Sequence, residues 1–119
     1  KACLTAGIPV GLGTDTACPY VTQYDMWREL NLMRRYCGVS NGFALYTATL
    51  GNAKILGIDR ETGSVTPGKA ADLLVTRDNP LQNLAALREP VMVIARGKCY
   101  SNPKVKKIPE VEQELDNYL

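Results

Sequence analysis

The feature that most constrains the fold is a short apolar run near the start of the chain that ends in glycines and then an acid, Ile8-Pro-Val-Gly-Leu-Gly-Thr-Asp15. Its valine and isoleucine predict a strand from Ile8 to Leu12, buried on both faces. Gly11 and Gly13 permit close packing or an unusual backbone angle. A carboxylate at the tip of a buried strand is a common place for a metal ligand or a general base. Position alone also allows Asp15 to cap a helix or close an Asx turn.

Composition narrows the class of protein. The chain has 119 residues, 45% of them apolar, and a net charge of +2. This length fits one domain or a piece of a larger protein, and the apolar content supports a packed core. No basic block indicates nucleic-acid binding, and no apolar run approaches the roughly 18 residues of a membrane span. Residues 1–7 read as the end of a helix already under way, with Gly7 as its stop signal, so we expect a fragment of a longer protein.

The four cysteines, Cys3, Cys18, Cys37 and Cys99, form no C-x-x-C pair, and the chain has no histidine. They therefore provide no zinc site of their own. Their expected state is a set of buried, reduced thiols, which is typical of a cytoplasmic protein. We predict a cytoplasmic location on this basis.

A long amphipathic helix is predicted after the loop that follows Asp15. The residues from Thr22 to Asp25 fit a capping box with aspartate in place of glutamate. Gly38 supplies the C-terminal stop. The apolar face of this helix consists of Met26, Leu30, Met33 and Cys37, with Trp27 beside it in the core.

Two further helices are predicted before residue 58. Ser40 is the expected N-cap of the first, which runs to about Leu50. Gly51 is expected to break it, and Asn52 is expected to cap a short helix that Gly57 ends.

The hydrophobic period changes from about 3.6 to 2 near Ile58, which predicts a small β region. Thr66-Pro-Gly-Lys69 has the residues of a type II turn. Strands are predicted over Asp72–Thr76 and Val91–Ala95, with Gly97-Lys98 as a hairpin turn. The lysines and acids near the C-terminus balance one another, which predicts a solvated face. The predicted units are residues 1–57, residues 58–103, and residues 104–119 as a polar helix or tail.

Four stretches carry a family resemblance: Gly7-Ile-Pro-Val-Gly-Leu-Gly-Thr-Asp15, Ala48-Thr-Leu-Gly-Asn-Ala-Lys-Ile-Leu-Gly57, Gly63-Ser-Val-Thr-Pro-Gly-Lys-Ala-Ala-Asp-Leu-Leu-Val75, and Asn79-Pro-Leu81 followed by Val91-Met-Val-Ile-Ala-Arg-Gly-Lys98. Each stretch is moderately specific alone, but their order and spacing over residues 1–100 are highly specific. Together they resemble the C-terminal part of the amidohydrolase superfamily of metal-dependent hydrolases. The series is most similar to its imidazolonepropionase-like and prolidase-like branch.

The resemblance implies an α/β fold, namely the C-terminal piece of a TIM-barrel metal-dependent hydrolase joined to part of a small β-sandwich. Ile8 to Gly13 would be the eighth barrel strand, residues 23–56 the helices after it, and residues 58–100 the C-terminal part of the sandwich. In the family, the aspartate that follows the eighth strand binds the metal and takes a proton from the attacking water. By resemblance, Asp15 is therefore the metal ligand and the catalytic base. A metal lowers the pKa of its bound water toward about 7, so that a neighbouring carboxylate can take the proton.

The chain departs from the family pattern in its metal ligands. Family members take further ligands from a His-x-His pair and later histidines, often with a bridging lysine, whereas this chain has no histidine. Catalytic metal sites use about three protein ligands. We therefore expect the intact parent to hold a divalent metal, zinc first, and to hydrolyse C–N bonds in cyclic amides or dipeptides. This chain alone is expected to bind no cofactor and to be inactive.

The alternative function is that of a non-catalytic module, which keeps the family's C-terminal shape and self-associates through exposed strand edges. Gly11-Leu-Gly13 is not read as a dinucleotide loop, because the third glycine of that motif is missing. Tyr20 and Tyr24 follow the candidate acid and could meet substrate. Trp27 is expected in the core, and Asp72 is expected to hydrogen-bond in the turn before its strand.

Overall fold

The computed structural model describes residues 1–119, with most helices in the first half of the chain and a three-stranded antiparallel sheet in the second. None of the helices has the length and apolar character needed to cross a membrane. In chain order the elements are α1 (Ala2–Thr5), α2 (Met26–Cys37), α3 (Asn41–Tyr46), a π-helical turn (Thr47–Gly51), α4 (Asn52–Ile55), β1 (Leu73–Val75), a 3₁₀ turn (Leu84–Leu87), β2 (Met92–Ala95), β3 (Lys98–Ser101) and α5 (Pro109–Asp116).

The predicted strand from Ile8 to Leu12 is wrong for this structure. The segment forms no ladder with the three strands, which pair only with one another. Ile8 is 54% exposed, so burial on both faces is wrong as well. A strand is defined by hydrogen bonds to a neighbouring strand, and this segment has no strand beside it. A side chain of α4 contacts it instead, as described below.

Helices α1 and α4 are terminated by the predicted glycines, Gly7 and Gly57, each of which follows the last helical residue by two positions. Both glycines have positive φ, +72° and +71°. After α1, the N–H of Gly7 donates to Leu4 O at 3.0 Å, and the next N–H, that of Ile8, donates to Cys3 O at 2.9 Å. This pair of bonds is a Schellman motif, which satisfies the last carbonyls of the helix and turns the chain away from the helix axis.

Helix α2 presents its predicted apolar face to the core. Leu30 and Met33 on that face are buried, and so is Trp27 beside it. Leu30 packs against Ala44 of α3 and Leu84 of the 3₁₀ turn in the central cluster of the molecule. The core therefore joins α2 to both halves of the chain.

The start of α2 differs from the predicted capping box. Asp25 is the N-cap residue, but its side chain accepts no bond from the helix backbone. The Thr22 hydroxyl donates to the Asp25 carboxylate at 2.5 Å, and the Trp27 indole N–H donates to it at 3.1 Å. The carboxylate turns to these side chains because it is buried, and a buried charge needs partners.

The predicted break at Gly51 is wrong, because α3, the π-helical turn and α4 form one continuous helical segment. Gly51 itself has helical angles, φ −60° and ψ −50°. The Ser40 cap is confirmed, since its Oγ accepts the N–H of Phe43 at 3.1 Å. The hydroxyls of Thr47 and Thr49 donate to carbonyls four residues earlier, at 2.8 Å and 2.7 Å. Such back-bonding bends helices, and here it accompanies the wider π-helical turn.

The sheet has the order β1-β2-β3, and the predicted strands are confirmed in shortened form. The hairpin between β2 and β3 turns at Arg96-Gly97 rather than at Gly97-Lys98, because Ala95 pairs with Lys98. Both turn residues have positive φ, 50° and 80°. A type I′ turn needs this backbone at both positions, so the turn lies one residue earlier than the glycine alone indicates.

The helix predicted from Pro109 is confirmed as α5, but its predicted solvated face is wrong at Glu112, which is 7% exposed. Arg28 of α2 lies 3.2 Å from Glu112 and 2.7 Å from Asp116. Arg88 contacts the same two acids at 3.0 Å and 3.1 Å. Buried charges are stable only when paired, and here the pairing docks α5 on α2. We call this group the ion cluster: Asp25, Arg28, Arg88, Glu112 and Asp116.

The cysteines are free thiols, as predicted, but their predicted burial is wrong. Cys3, Cys18 and Cys99 are exposed, and only Cys37 is partly covered. The three exposed thiols lie on α1, in the loop after Asp15 and on β3, all of which are at the surface. The core is instead formed by α2, α3 and the 3₁₀ turn.

Candidate active-site segment

Asp15 ends the segment that was predicted as a strand, and its side chain is exposed rather than buried among apolar groups. The thiol of Cys18 points to Asp15 Oδ2 at 3.8 Å. Beside it, the hydroxyls of Thr14 and Thr16 bond each other at 2.6 Å. None of the ion pairs in the chain involves Asp15. The Asp15 carboxylate is thus accessible, and its oxygens can accept a proton or bind a cation.

The loop that begins at Asp15 has an unusual backbone. Asp15, Ala17 and Tyr20 have φ values of +52°, +97° and +63°. Residues other than glycine seldom adopt these angles, and each costs on the order of 1 kcal/mol or more. Such strain is concentrated at functional sites, because the surrounding structure there requires one particular backbone path. The strained backbone therefore supports this loop as a candidate functional site.

The side chain of Asn52, the first residue of α4, holds the segment before Asp15 at one point. Its Oδ1 accepts the N–H of Leu12 at 2.9 Å, and its Nδ2 donates to the carbonyl of Leu12 at 2.8 Å. An amide side chain can satisfy both backbone groups of one residue because it carries a donor and an acceptor. We call this pair of bonds the Asn52 clamp.

Gly11 makes the close approach of the clamp possible. A Cβ at this position would lie 2.5 Å from Asn52 Oδ1 and 3.4 Å from Ile55 Cδ1. The prediction that Gly11 serves close packing is confirmed, whereas Gly13 has nothing within 4 Å of such an atom. Asn52 was predicted as a helix cap, and that role is wrong, since its side chain hydrogen-bonds to the backbone of Leu12 instead.

A large cavity lies elsewhere in the molecule. It is an open groove of about 880 Å³ between α2 and the loops around the sheet. Tyr24, Trp27 and Leu30 line it, but neither Asp15 nor Asn52 does. The groove is therefore a separate apolar surface and not part of the segment that carries the acid.

The other candidate residues form no hydrogen bond with Asp15, whose side chain bonds to Cys18. Tyr24 accepts the N–H of Ile108 on its hydroxyl at 3.3 Å. Asp72 has a structural role as predicted, but in a different turn: its Oδ1 accepts the N–H of Arg96 in the hairpin between β2 and β3 at 2.7 Å. Tyr20 is 63% exposed on the strained loop.

The donor set for a metal is incomplete within these residues. The chain has no group of three or more His, Cys, Asp or Glu side chains that could hold an ion. A carboxylate oxygen is nevertheless a suitable ligand for a divalent metal, and Asp15 offers one on an accessible side chain. The residues present fit such a metal as one ligand among several.

The fold and the segment 7–15 define a class of protein. The model of the amidohydrolase family matches residues 1–99, and the chain belongs to that family.

Among its relatives is an imidazolonepropionase from Picrophilus torridus, 35% identical over 94 residues, which are 79% of this chain and 22% of the relative. A putative prolidase from Bifidobacterium longum superimposes with a TM-score of 0.93 at 46% identity, covering 98% of this chain and 28% of that one. A Xaa-Pro dipeptidase with methionine bound in its active site superimposes with a TM-score of 0.76 at 29% identity, covering 84% and 24%. The chain thus spans about a quarter of the length of these relatives.

The sequence predicts Asp15 as a candidate site residue but does not predict the contact of Asn52 with Leu12. The available signal was the pair of glycines around Leu12, which indicated that something packs closely there. It did not indicate which residue, because the partner is 40 positions away in the chain. An asparagine after a glycine in a helical stretch resembles an ordinary cap, and only the fold shows where its side chain points.

Proposed function

We propose that this chain is the C-terminal part of a metal-dependent amidohydrolase that cleaves C–N bonds, and that Asp15 is a metal ligand and the general base. The observation that carries the proposal is the accessible Asp15 carboxylate at the end of a segment held by α4, within the residues that match the family. When bound, a divalent metal supplies an acidified water at neutral pH. The remaining ligands come from residues outside these 119, since about three are needed.

The role of Asp15 follows from what a carboxylate can do at an accessible position. Its two oxygens allow one to bind a cation while the other accepts a proton from water. The same group can then return the proton to the leaving nitrogen when the C–N bond breaks. The neighbouring hydroxyls of Thr14 and Thr16 bond each other, so the one hydrogen bond to the Asp15 carboxylate comes from the Cys18 thiol, a weak donor.

The substrate class that we propose is a small amide, with a dipeptide as the first candidate and a cyclic amide as the second. The dipeptide is supported by the likeness to a putative prolidase over 98% of this chain and to a Xaa-Pro dipeptidase over 84% of it. The cyclic amide is supported by the likeness to an imidazolonepropionase. Both substrates are cleaved at a C–N bond, so one reaction type covers them.

The test uses the complete natural protein that contains these residues, loaded with zinc and assayed for release of proline from Xaa-Pro dipeptides and for opening of a cyclic amide. We expect Asp15→Asn to lower kcat by about 10²- to 10⁴-fold, because the amide cannot accept the proton. Asp72→Asn is the matched control: the amide oxygen can still accept the N–H of Arg96, so turnover is expected to stay unchanged.

Full turnover by Asp15→Asn would contradict the proposed role. Absence of hydrolysis by the metal-loaded wild-type protein on both substrates would instead favour the non-catalytic module. The 119-residue chain on its own is expected to show no turnover, because it brings one carboxylate to a site that needs several ligands.

A further inference from the structure

We propose that Asn52 is a positioning residue for Asp15: it holds the backbone of Leu12 and so fixes where the carboxylate three residues later is presented. The inference rests on the proposed function of Asp15 as a ligand and base. It adds a residue that touches neither substrate nor metal and acts through the backbone alone.

The Asn52 clamp is the only hydrogen-bonded tether of this segment. From Pro9 to Asp15, no backbone N–H or carbonyl bonds to another backbone group. Leu12 alone has both of its backbone groups satisfied, and both bonds go to one side chain. The amide therefore takes the place that a neighbouring strand would have beside Leu12.

The helix that carries Asn52 is shaped for this contact. Asn52 follows directly on the π-helical turn Thr47–Gly51. A π-helical turn inserts an additional residue and so rotates every later side chain around the helix axis. Gly51 allows the turn to close, since a Cβ there would lie 3.0 Å from the carbonyl of Tyr46. On the other side, Gly11 leaves room for the amide. Gly11, Gly51 and the π-helical turn thus all favour the contact of Asn52 with Leu12.

The chemical consequence concerns distance. A reacting group that is misplaced by about 1 Å can lose about 10²-fold in rate. Without the clamp, the packing of the Leu12 side chain against the core remains, but the backbone from Pro9 to Asp15 has no hydrogen bond to another element of the fold. The position of the carboxylate would then be less closely fixed.

The experiment compares variants of the complete natural protein at a temperature well below its Tm. Asn52→Ala removes the clamp. Gly11→Ala leaves Asn52 intact but places a methyl group where the amide oxygen lies. We expect each to lower kcat and kcat/KM together by about 10²-fold, as for an interaction that matters only in the transition state.

The matched control is Asn41→Ala. The Asn41 side chain also bonds a backbone group 40 residues away, donating to Leu81 O at 3.0 Å, but it holds the loop before the 3₁₀ turn. We expect this variant to lower Tm while kcat stays within about twofold of wild type, because the contact lies away from Asp15. A loss of kcat equal to that of Asn52→Ala would overturn the proposal, since any long-range asparagine contact would then have the same effect.

The double variant Gly11→Ala/Asn52→Ala tests whether the two substitutions disrupt the same contact or act independently. Once the amide is gone, the methyl group at position 11 has space, so the double variant should be no slower than Asn52→Ala alone. If the two losses multiply, the residues act independently and the proposal fails.

Amide hydrogen exchange supplies a readout that needs no activity. The peptide that covers residues 8–15 should exchange faster in Asn52→Ala and in Gly11→Ala than in wild type, and unchanged exchange overturns the clamp. If Asp15→Asn abolishes turnover while both clamp variants keep full kcat, this inference alone is wrong. If Asp15→Asn keeps full turnover, the proposed function fails and the inference with it.

Discussion

At the scale of single residues, Gly63 lets two parts of the chain pack closely because it has no side chain. Its φ is +88°, and a Cβ there would lie 2.6 Å from Ala53 Cβ and 3.1 Å from Leu50 Cα. The loop after α4 therefore packs backbone-to-helix against the segment that carries Asn52. Because of this close approach, the position of the loop is coupled to the position of the helical segment that carries Asn52.

We expect Gly63→Ala to lower the free energy of unfolding by about 2 to 5 kcal/mol, from the left-handed backbone and the overpacking together. Gly68→Ala is the matched control, because Gly68 has φ +90° but nothing within 4 Å of a Cβ. That variant should lose only the backbone part, about 1 to 2 kcal/mol. Urea unfolding of both variants measures the difference, and equal losses would show that packing at Gly63 is unimportant.

The same scale shows what single residues reveal in a sequence. Trp27 was predicted in the core and is found there, since a large apolar ring has a strong preference for burial. Asp72 hydrogen-bonds to backbone as predicted, but in the hairpin turn at Arg96 and not in the turn before its own strand. Asn52 was predicted wrongly because its partner is distant in sequence. Local patterns record what a residue does to its own backbone, and they do not record contacts across the fold.

At the scale of elements, the docking of α5 on α2 depends on charges and therefore on pH. Burial opposes the charged form of Asp25, but the hydrogen bonds that Thr22 and Trp27 donate and the charge of Arg28 outweigh it and lower the pKa of Asp25 below 3.8. Burial likewise opposes the charged form of Asp116, and its bonds to Arg28 and Arg88 lower its pKa below 3.8. Both acids thus favour the folded state in their charged form.

A carboxyl group with a lower pKa in the folded chain stabilises the fold above its unfolded pKa, and this stabilisation is lost as the pH falls through the folded pKa. For Asp25 and Asp116 the loss starts near pH 3.8 and continues below it. Burial raises the pKa of Glu29 above 4.5, which has the opposite sign, so protonation of Glu29 favours the fold. We expect the two aspartates to dominate, with the contact between α2 and α5 opening in acid.

The measurement is the free energy of unfolding in urea at pH 6 and at pH 3 for wild type and Asp116→Asn. The variant carries no charge to lose at this position, so its stability should fall less between the two pH values. Asp78→Asn is the control, since the Asp78 side chain is exposed and makes no ion pair. An equal pH dependence of Asp116→Asn and wild type would exclude a role of Asp116 in acid sensitivity.

Elements were predictable to the extent that their signals are local. The stop at Gly57 and the Ser40 cap are confirmed because each is decided within one helical turn. The break at Gly51 was wrong because the glycine keeps helical angles inside the π-helical turn, where a Cβ would lie 3.0 Å from the carbonyl of Tyr46. The solvated face of α5 was wrong at Glu112 because two arginines from distant parts of the chain neutralise it.

At the scale of the whole molecule, the chain exposes more surface than its size requires. Its accessible area is 8180 Å², whereas a compact monomer of this mass exposes about 6,300 Å². The radius of gyration is 14.7 Å, against about 13.5 Å expected for 119 residues. Only 11 residues are buried. The surplus includes large apolar side chains, among them Ile8, Leu56, Val65, Leu74 and Val75.

We expect the isolated 119-residue chain to self-associate, because exposed apolar side chains and open strand edges favour contacts between copies. Light scattering coupled to size-exclusion chromatography should give a mass above 13.0 kDa. The complete natural protein is the control, in which we expect this surface to be covered by the rest of the polypeptide. A stable monomer of the short chain over a wide concentration range would contradict the expectation.

The overall class was predictable from four motifs in order, and the family match over residues 1–99 confirms it. The strand from Ile8 to Leu12 was not confirmed, for a reason that belongs to the molecule and not to the segment. Its apolar pattern is that of a strand between two neighbours, whereas here the backbone of Leu12 bonds to one amide side chain and its own side chain packs against the core. The hydrophobic pattern of a segment indicates that it is suited to lie between two strands. It does not indicate whether those strands are present in the fold.

The indole of Trp27 gives this molecule an optical reporter. It is the one tryptophan in these 119 residues, it is 5% exposed, and the guanidinium carbons of Arg28 and Arg88 lie 4.9 Å and 5.3 Å from its ring centre. Its N–H is bonded to Asp25. Opening of the ion cluster would expose the ring to water, so the emission wavelength of a single fluorophore follows the attachment of the last helix to the rest of the chain.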